Sequence, residues 1–263
     1  MLRYIKLYWH FFKLRVQIMM EYRLDFIIGI LSVLFIQGAG LFFVNIVFKQ
    51  IQTIRGWSFD EVVFIYAVAC CGRAIHHIFF DSLWVFGRDY IRNGGFDRML
   101  VRPAPAFFQL IAERVQQDGV GQLLIGIWLL SYAAPTIGVE WTFVSMTVLI
   151  ILILSSSMVF IGIHVFTCSL SFWMTDSMPV QWSVHEMSDF ARYPLVIYNR
   201  VIQSLMTWII PYGFTAFYPA AYFLRPETYL KMGWITPIIG FGCCLIGAYV
   251  WRKGVRNFTG TGS

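Results

Sequence analysis

Arg73, His76, His77 and Phe80 recur at the spacing i, i+3, i+4 and i+7, which places them on one face if the apolar segment around them is helical. Ionisable side chains in such a segment are costly to bury and commonly mark a pathway or an interface. One interpretation is that this face lines a cavity or a subunit seam, with Arg73 holding an anionic group. The other is that the segment ends near a membrane surface, where Arg73 reaches water and the histidines lie among headgroups.

Other polar residues and absent motifs limit the chemistry further. Gln37 and Asn45 lie in another apolar run, where they line the same pathway or seam or form hydrogen bonds between helices. His76 and His77 lack a third ligand, so we predict no metal site. No lysine follows a glycine, which excludes a phosphate loop of the Walker type, and H-E-x-x-H and G-x-S-x-G are absent. We therefore expect a non-catalytic chain that binds no metal or cofactor itself.

The composition places these residues in a membrane. Hydrophobic residues make up 58% of the 263 residues and charged residues 13%, whereas a soluble domain has about 25% charged residues. Charge is missing from long runs, at residues 26–48, 141–175 and 232–251, and about 20 helical residues cross a bilayer. The sequence predicts an all-α integral membrane protein with one transmembrane domain over residues 1–263. Because Lys and Arg flank the apolar runs, we expect no nucleic-acid binding.

Six spans are predicted, and Lys and Arg orient them. The spans are 26–48, 62–80, 118–134, 141–172, 195–210 and 233–251. Basic residues are densest before the first span, after the second and after the sixth, and Arg192 and Arg200 precede or enter the fifth. The positive-inside rule then places all of these basic residues and both termini in the cytosol.

Three segments depart from a simple spanning helix. Residues 2–22 alternate a basic and an apolar face, which predicts a helix in the cytosolic membrane interface; an extension of the first span is the alternative. The fourth run is too long for one crossing, so its helix projects into the cytosol or bends near residues 155–162. Residues 211–228 are apolar but contain several prolines, which predicts a re-entrant segment in the outer leaflet.

The segment between the second and third spans carries the most specific pattern. Residues 86–105 contain Gly94 and Gly95, a short stretch able to form a helix, and a stop at Pro103 and Pro105. A short amphipathic helix below the membrane suits docking onto a soluble partner. An ordinary basic loop that obeys the positive-inside rule is the alternative.

Four sequence motifs together resemble a known family. They are G-G-F-D-R-M-L-V-R-P at residues 94–103, Y-P-L-V-I-Y at 193–198, I-P-Y-G-F-T-A-F-Y-P-A at 210–220 and N-F-T-G-T-G-S at 257–263. With the order of the elements, they resemble permease subunits of type-2 ABC exporters. The resembling branch is encoded beside a second, different permease and an ATPase.

The resemblance implies partners and site residues. Two copies of an ABC ATPase, which bind ATP and Mg²⁺, would dock on a coupling helix, and a second permease would favour a heterodimer over a homodimer. The first, second and fifth spans would line the permease seam. The implied coupling residues are Gly95, Phe96, Asp97, Arg98, Leu100, Arg102 and Pro103. The implied outer gate comprises Pro211, Phe214, Phe217, Tyr218 and Pro219.

The expected function is ATP-driven export across the bacterial cytoplasmic membrane. Aromatic residues in the spans and the outer segment favour an amphipathic, drug-like or lipid-like substrate, although the same residues suit a lipid-facing belt. A self-sufficient secondary carrier or channel is one alternative, but it would require paired intramembrane charges, and no acidic partner for Arg73 is evident. A membrane anchor that assembles other proteins is the second alternative.

Overall fold

The computed structural model describes residues 2–174 and 177–259, and the elements within them are helices. The last residues of the C-terminal motif, 260–263, lie outside this range. The α-helices in chain order are α1 (Leu2–Glu21), α2 (Arg23–Gln50), α3 (Phe59–Phe80), α4 (Ser82–Val85), α5 (Gly95–Leu100), α6 (Ala106–Ala112), α7 (Asp118–Thr136), α8 (Phe143–Ser169), α9 (Met178–Glu186), α10 (Arg200–Ser204), α11 (Phe217–Leu224) and α12 (Pro226–Asn257).

Five of the described helices are long and apolar enough to cross a membrane: α2, α3, α7, α8 and α12. They coincide with five of the six predicted spans and confirm an all-α integral membrane protein. Helix α3 is the most buried of the five, and α2 and α12 are the most exposed. The chain therefore packs around α3 and leaves the apolar surface of α2 largely bare.

Helix α1 is separate from the first span. The backbone breaks at Tyr22, whose φ of −94° and ψ of 59° are not helical. The rings of Tyr8 and Phe108 contact each other, as do those of Phe12 and Phe79. Phe79 lies one residue before the end of α3. Helix α1 therefore packs against the end of α3 and does not continue α2.

Close contacts set the direction of each long helix. Helices α2 and α7 run antiparallel to α3, whereas α8 runs parallel to α3 and α12 runs parallel to α8. The contacts that set these directions are Gln37–Tyr66, Phe48–Phe59, Gly119–Ile78, Gly126–Cys71, Ser157–Gly72, His164–His76, Gly240–Ser155 and Gly247–Val165. Because α8 and α12 run in the same direction, the chain between them must travel back along the bundle.

Residues 178–198 make this return, and we call them the passage. At its start Gln181 donates a hydrogen bond of 3.1 Å to the carbonyl of Leu83, just beyond the end of α3. At its end Tyr198 lines a cavity together with Val62, near the beginning of α3. The passage consists of α9 and two 3₁₀ turns, Met187–Arg192 and Leu195–Ile197. It is therefore a broken element that runs the length of α3.

The structure differs here from the predicted fifth span at 195–210. Those residues form no continuous helix: after the second 3₁₀ turn come the five residues of α10 and a π-helical turn, Leu205–Ile209. The prediction selected the uncharged run that follows the passage, because the passage itself contains Glu186, Asp189 and Arg192. As a result, Arg192 lies within the bundle, and Arg200 lies at the end opposite to the one predicted.

Residues 200–224 form a hairpin that enters and leaves at the same end of the bundle. Its tip lies at the level of Gly72, since Ser156 donates a 3.3 Å hydrogen bond to the carbonyl of Phe214. Helix α11 then returns toward the beginning of α3, where Arg225 contacts both carboxylate oxygens of Glu61, at 3.1 and 3.2 Å. The hairpin begins before residue 211, where the predicted re-entrant segment starts.

Helix α8 remains α-helical through residues 143–169, about 40 Å of helix at 1.5 Å per residue. The hydroxyls of Ser155, Ser156 and Ser157 donate to carbonyls one turn earlier in the helix. Ser157 also donates a 2.8 Å hydrogen bond to the carbonyl of Gly72. Ser157 therefore joins α8 to α3, and all three serine hydroxyls are satisfied inside an apolar bundle.

Candidate functional site

The coupling segment, residues 86–105, continues from α3 through α4 and a π-helix, Phe86–Arg92, to the short helix α5. The turn before α5 requires two glycines for different reasons. Gly94 has a φ of +71°, a left-handed conformation that other residues adopt at a cost. A Cβ on Gly95 would lie 2.6 Å from the carbonyl oxygen of Asp89. The Gly-Gly pair thus lets α5 fold back against the π-helix.

An aromatic cluster fixes one face of α5. Phe96 is fully buried, and its ring contacts those of Phe86, Phe172 and Phe258 at centroid distances of 5.6, 5.3 and 5.0 Å. Trp251 of α12 joins the same cluster. These rings come from the coupling segment, the end of α8 and the end of α12. Helix α5 is therefore packed rigidly against the ends of two spanning helices.

The opposite face of α5 and the turn after it are exposed. Leu100 and Val101 are 46% and 84% exposed, and Arg98 and Arg102 flank them. Exposed apolar residues with basic neighbours are typical of a docking surface for an acidic or mixed partner. The predicted coupling residues therefore divide: Gly95 and Phe96 are buried, Asp97 is half-buried, and Arg98, Leu100, Arg102 and Pro103 are exposed. Val101, which the prediction did not include, is 84% exposed.

Polar contacts brace the coupling segment from outside. Gln109 donates hydrogen bonds to the carbonyls of Met99, at 2.9 Å, and Ala104, at 2.7 Å, so it holds the turn after α5. Tyr90 donates a hydrogen bond to Glu113, and burial together with this bond raises the pKa of Tyr90 above its usual value. These contacts attach the segment to α6 and the connection that follows it.

A second charge contact lies where α3 meets the coupling segment. Asp81 forms an ion pair of 3.1 Å with Arg114. Burial raises the pKa of the Asp81 carboxyl, and the nearby Arg114 charge opposes this rise. The ion pair ties the beginning of the coupling segment to the chain just before α7.

Arg73 lies within the bundle and has an acidic partner. Its guanidinium lies 2.5 Å from Asp189 and 2.6 Å from the hydroxyl of Ser188, both in the passage. Arg192 shares the same carboxylate at 3.0 Å, and its guanidinium lies over the ring of Tyr66. The side chain of Arg73 is only 8% exposed. The headgroup interpretation of Arg73 is therefore wrong: the residue joins α3 to the passage.

Four histidines meet beside this ion pair. Nδ1 of His164 lies 2.5 Å from Nε2 of His76, so one ring donates to the other. The rings of His77 and His185 are 5.9 Å apart, and Trp84 contacts both His164 and His185. Within the described ranges, no group of three or more His, Cys, Asp or Glu side chains has the geometry to hold a metal ion. The cluster packs α3, α8 and the passage together.

A groove opens between α2, α3 and the passage, and we call it the seam groove. It has a volume of about 520 Å³, and Gln37, Arg73 and His77 line it with Trp84, Trp182 and other residues of α7 and the passage. Gln37 also accepts a 2.5 Å hydrogen bond from Tyr66. His76 is buried behind the groove, and Asn45 lies half-buried farther along α2. The predicted seam residues thus divide into three that line this groove and two that do not.

The predicted outer-gate residues lie inside the bundle. Phe214 and Phe217 are fully buried, Pro219 is buried and Pro211 is partly exposed. Tyr218 is 8% exposed, and its hydroxyl lies 2.8 Å from that of Thr207 on the other limb of the hairpin. In this structure the hairpin packs closely against α3, α8 and α12.

A family comparison decides what kind of protein carries these features. The model of the family described as ABC-2 family transporter protein matches residues 34–262. The chain belongs to this family. No curated protein and no solved structure was found to match it.

Membership in the ABC-2 family makes the chain a transmembrane permease subunit of an ABC transporter. The permease is the non-catalytic membrane component, and members of this family generally work with an ATPase on a separate subunit. The match begins within α2, so it covers the coupling segment, the hairpin and the seam groove except Val33, but not α1.

Proposed function

We propose that this ABC-2 permease works as part of an ATP-driven exporter in the bacterial cytoplasmic membrane. It would move an amphipathic, drug-like or lipid-like molecule out of the cytoplasm, with ATP and Mg²⁺ bound by two copies of a separate ATPase. The observation that carries this proposal is the way in which α5 packs against the bundle. One face is fixed in the aromatic cluster of α8 and α12, and the other presents Leu100 and Val101 to a partner.

The proposed alternating access would use the packing of α5 against α8 and α12. ATP binding would draw the two ATPase subunits together, and each would push on a coupling segment. Because α5 packs rigidly against the ends of α8 and α12, the push would move these helices as a body and not bend the segment alone. The Arg73–Asp189 contact would keep the passage attached to α3 during this movement. Helix α1 and the last turn of α12 lie at the same end of the bundle as α5, which the proposal assigns to the cytosol.

The exposed apolar face of α2 supports the proposal that a second permease binds there. Large apolar side chains along this helix are exposed, including Phe35 at 79%, Phe42 at 66% and Phe43 at 62%. The seam groove opens on the same helix. A second, different permease against α2 would close the groove into a shared pathway, so we favour a heterodimer. Trp84 and Trp182 beside Arg73 and Arg192 suit a substrate with both apolar and polar parts.

The test disrupts the exposed face of α5 without touching its buried face. We expect Arg98→Glu combined with Val101→Asp to abolish co-purification of the ATPase and ATP-dependent export, because the substitutions place acidic groups on the docking surface. Lys253→Glu is the control, since it reverses an exposed charge near the same end of the bundle but outside α5. Unchanged ATPase binding by the α5 variant would contradict the proposal. The purified complex should also contain a second permease.

A further inference from the structure

A second groove lies on the other side of the molecule from the seam groove. It has a volume of about 810 Å³, within the range of about 300–1,000 Å³ that is usual for ligand sites. Its walls come from α8, α12, the end of α3 and the connection from α5 to α6. None of its lining residues belongs to α2 or the passage, so it is distinct from the proposed substrate pathway.

The groove is apolar at one end and basic at the other. Ile161, Gly162 and Cys244 line the end that lies deeper in the bundle. Ile161 is eight residues before the end of α8, which corresponds to about 12 Å. The apolar end of the groove therefore lies along α8, a helix long and apolar enough to span the membrane, and it suits an acyl chain.

Arg252 and Arg256 line the opposite end, one helical turn apart on the same face of α12. Both are exposed, and the residues that line the groove include no acidic side chain. Two guanidinium groups on one face provide a charged fork that suits a phosphate group.

We propose that this groove binds an anionic phospholipid of the surrounding leaflet. Arg252 and Arg256 hold its phosphate, and an acyl chain follows the apolar wall toward Ile161. Basic pockets between spanning helices at the cytosolic surface bind anionic headgroups for the same reason. The assignment to the cytosolic leaflet rests on the orientation in the proposed function, whereas the binding itself does not.

The lipid would also contact the coupling machinery. Trp251 lines the groove and belongs to the aromatic cluster that holds Phe96, and Phe107 lies 5.2 Å from the Trp251 ring. Met99 and Leu100 of α5 line the same groove. An acyl chain there fills space between α5 and α12, so the bound lipid stabilises the contact through which the coupling segment acts.

The test measures thermal stabilisation of the full-length chain in a zwitterionic detergent as phosphatidylglycerol or phosphatidylcholine is added. We expect phosphatidylglycerol to raise the melting temperature at much lower concentrations than phosphatidylcholine. Arg252→Gln and Arg256→Gln should each weaken the response to phosphatidylglycerol about fivefold. Lys253→Gln is the matched control, because Lys253 is an exposed neighbour that does not line the groove, and it should respond like the unchanged chain.

Three outcomes would overturn the lipid site. The first is an equal response of the arginine and lysine variants, and the second is an equal effect of the two lipids. The third is ATP-dependent transfer of labelled phosphatidylglycerol across the membrane by the reconstituted complex, lost in the arginine variants, which would make the groove part of the substrate pathway instead of a separate lipid site. Ala248→Phe, which narrows the groove without changing charge, should weaken stabilisation as well. The detergent assay needs no ATPase, so its result is separate from the test of export.

Discussion

At the scale of single residues, one carboxylate organises the charges inside the bundle. Asp189 forms ion pairs with both Arg73 and Arg192, whose side chains are 8% and 14% exposed. Two buried cations this close would repel each other without an anion between them. The Asp189 carboxylate therefore offsets the electrostatic cost of burying two arginines close together.

We expect Asp189→Asn to destabilise the protein by about 2–3 kcal/mol, more than Arg73→Met does, since it leaves two cations unpaired while Arg73→Met leaves Asp189 with Arg192. This is less than the loss for a fully buried pair, because Asp189 is 47% exposed. Thermal unfolding in detergent measures the effect. Asp89→Asn, which breaks the exposed pair with Arg88, should change stability by less than about 1 kcal/mol. A larger effect of Arg73→Met than of Asp189→Asn would contradict this reading.

At the scale of helices, α8 and α12 approach closely because glycines line their contact. A Cβ on Gly162 would lie 2.4 Å from the backbone carbon of Cys243, and one on Gly240 would lie 2.6 Å from the carbonyl oxygen of Ser155. Small residues that let two backbones meet are typical of helix pairs in membranes. The close contact also gives α8 and α12 the rigidity that the coupling segment needs.

Two glycines of α12 offer a matched comparison. Gly240→Ala should lower the melting temperature, since the added methyl group collides with α8, which must move away. Gly242→Ala should leave stability unchanged or raise it by up to about 1 kcal/mol, because its Cβ would meet nothing within 4 Å and alanine favours a helix. Both variants are measured by thermal unfolding of the purified chain. Equal effects of the two substitutions would show that the helix contact is looser than described.

At the scale of the whole molecule, the broken passage allows α8 and α12 to run in the same direction, because it carries the chain back along the bundle between them. Five long helices and the passage give six traversals of the bundle, which returns the end of α12 to the end of the bundle where α1 lies. The hairpin at residues 200–224 adds no further traversal, because it enters and leaves at one end. Arg98 and Arg200 consequently lie at opposite ends of the molecule.

Cysteine labelling in intact cells tests this topology. Arg200→Cys should react with a membrane-impermeant maleimide added outside, and Arg98→Cys should react only after the membrane is permeabilised. The unchanged chain is the control, since Cys70, Cys71 and Cys168 are buried and Cys243 and Cys244 are partly buried. Protection of the residue 200 cysteine in intact cells would instead favour the cytosolic position that the sequence predicts.

Part of the fold and part of the site follow from local sequence. Hydropathy over about 20 residues identifies α2, α3, α7, α8 and α12, because the energy of crossing a membrane depends mainly on the composition of one segment. The glycines and prolines around α5 likewise predict the coupling helix, since they act on the backbone where they stand. The passage escapes this reasoning because charged residues interrupt it.

The pairing of Arg73 with Asp189 joins residues 116 positions apart, and the four clustered histidines come from three separate parts of the chain. Local sequence determines that such polar groups are costly in a membrane, but not which partner offsets the cost. The sequence by itself therefore determined that this protein crosses the membrane and that a short helix forms between the second and third spans. Only the tertiary structure decided how the passage enters the bundle, because its charges are tolerated there by contacts with distant residues.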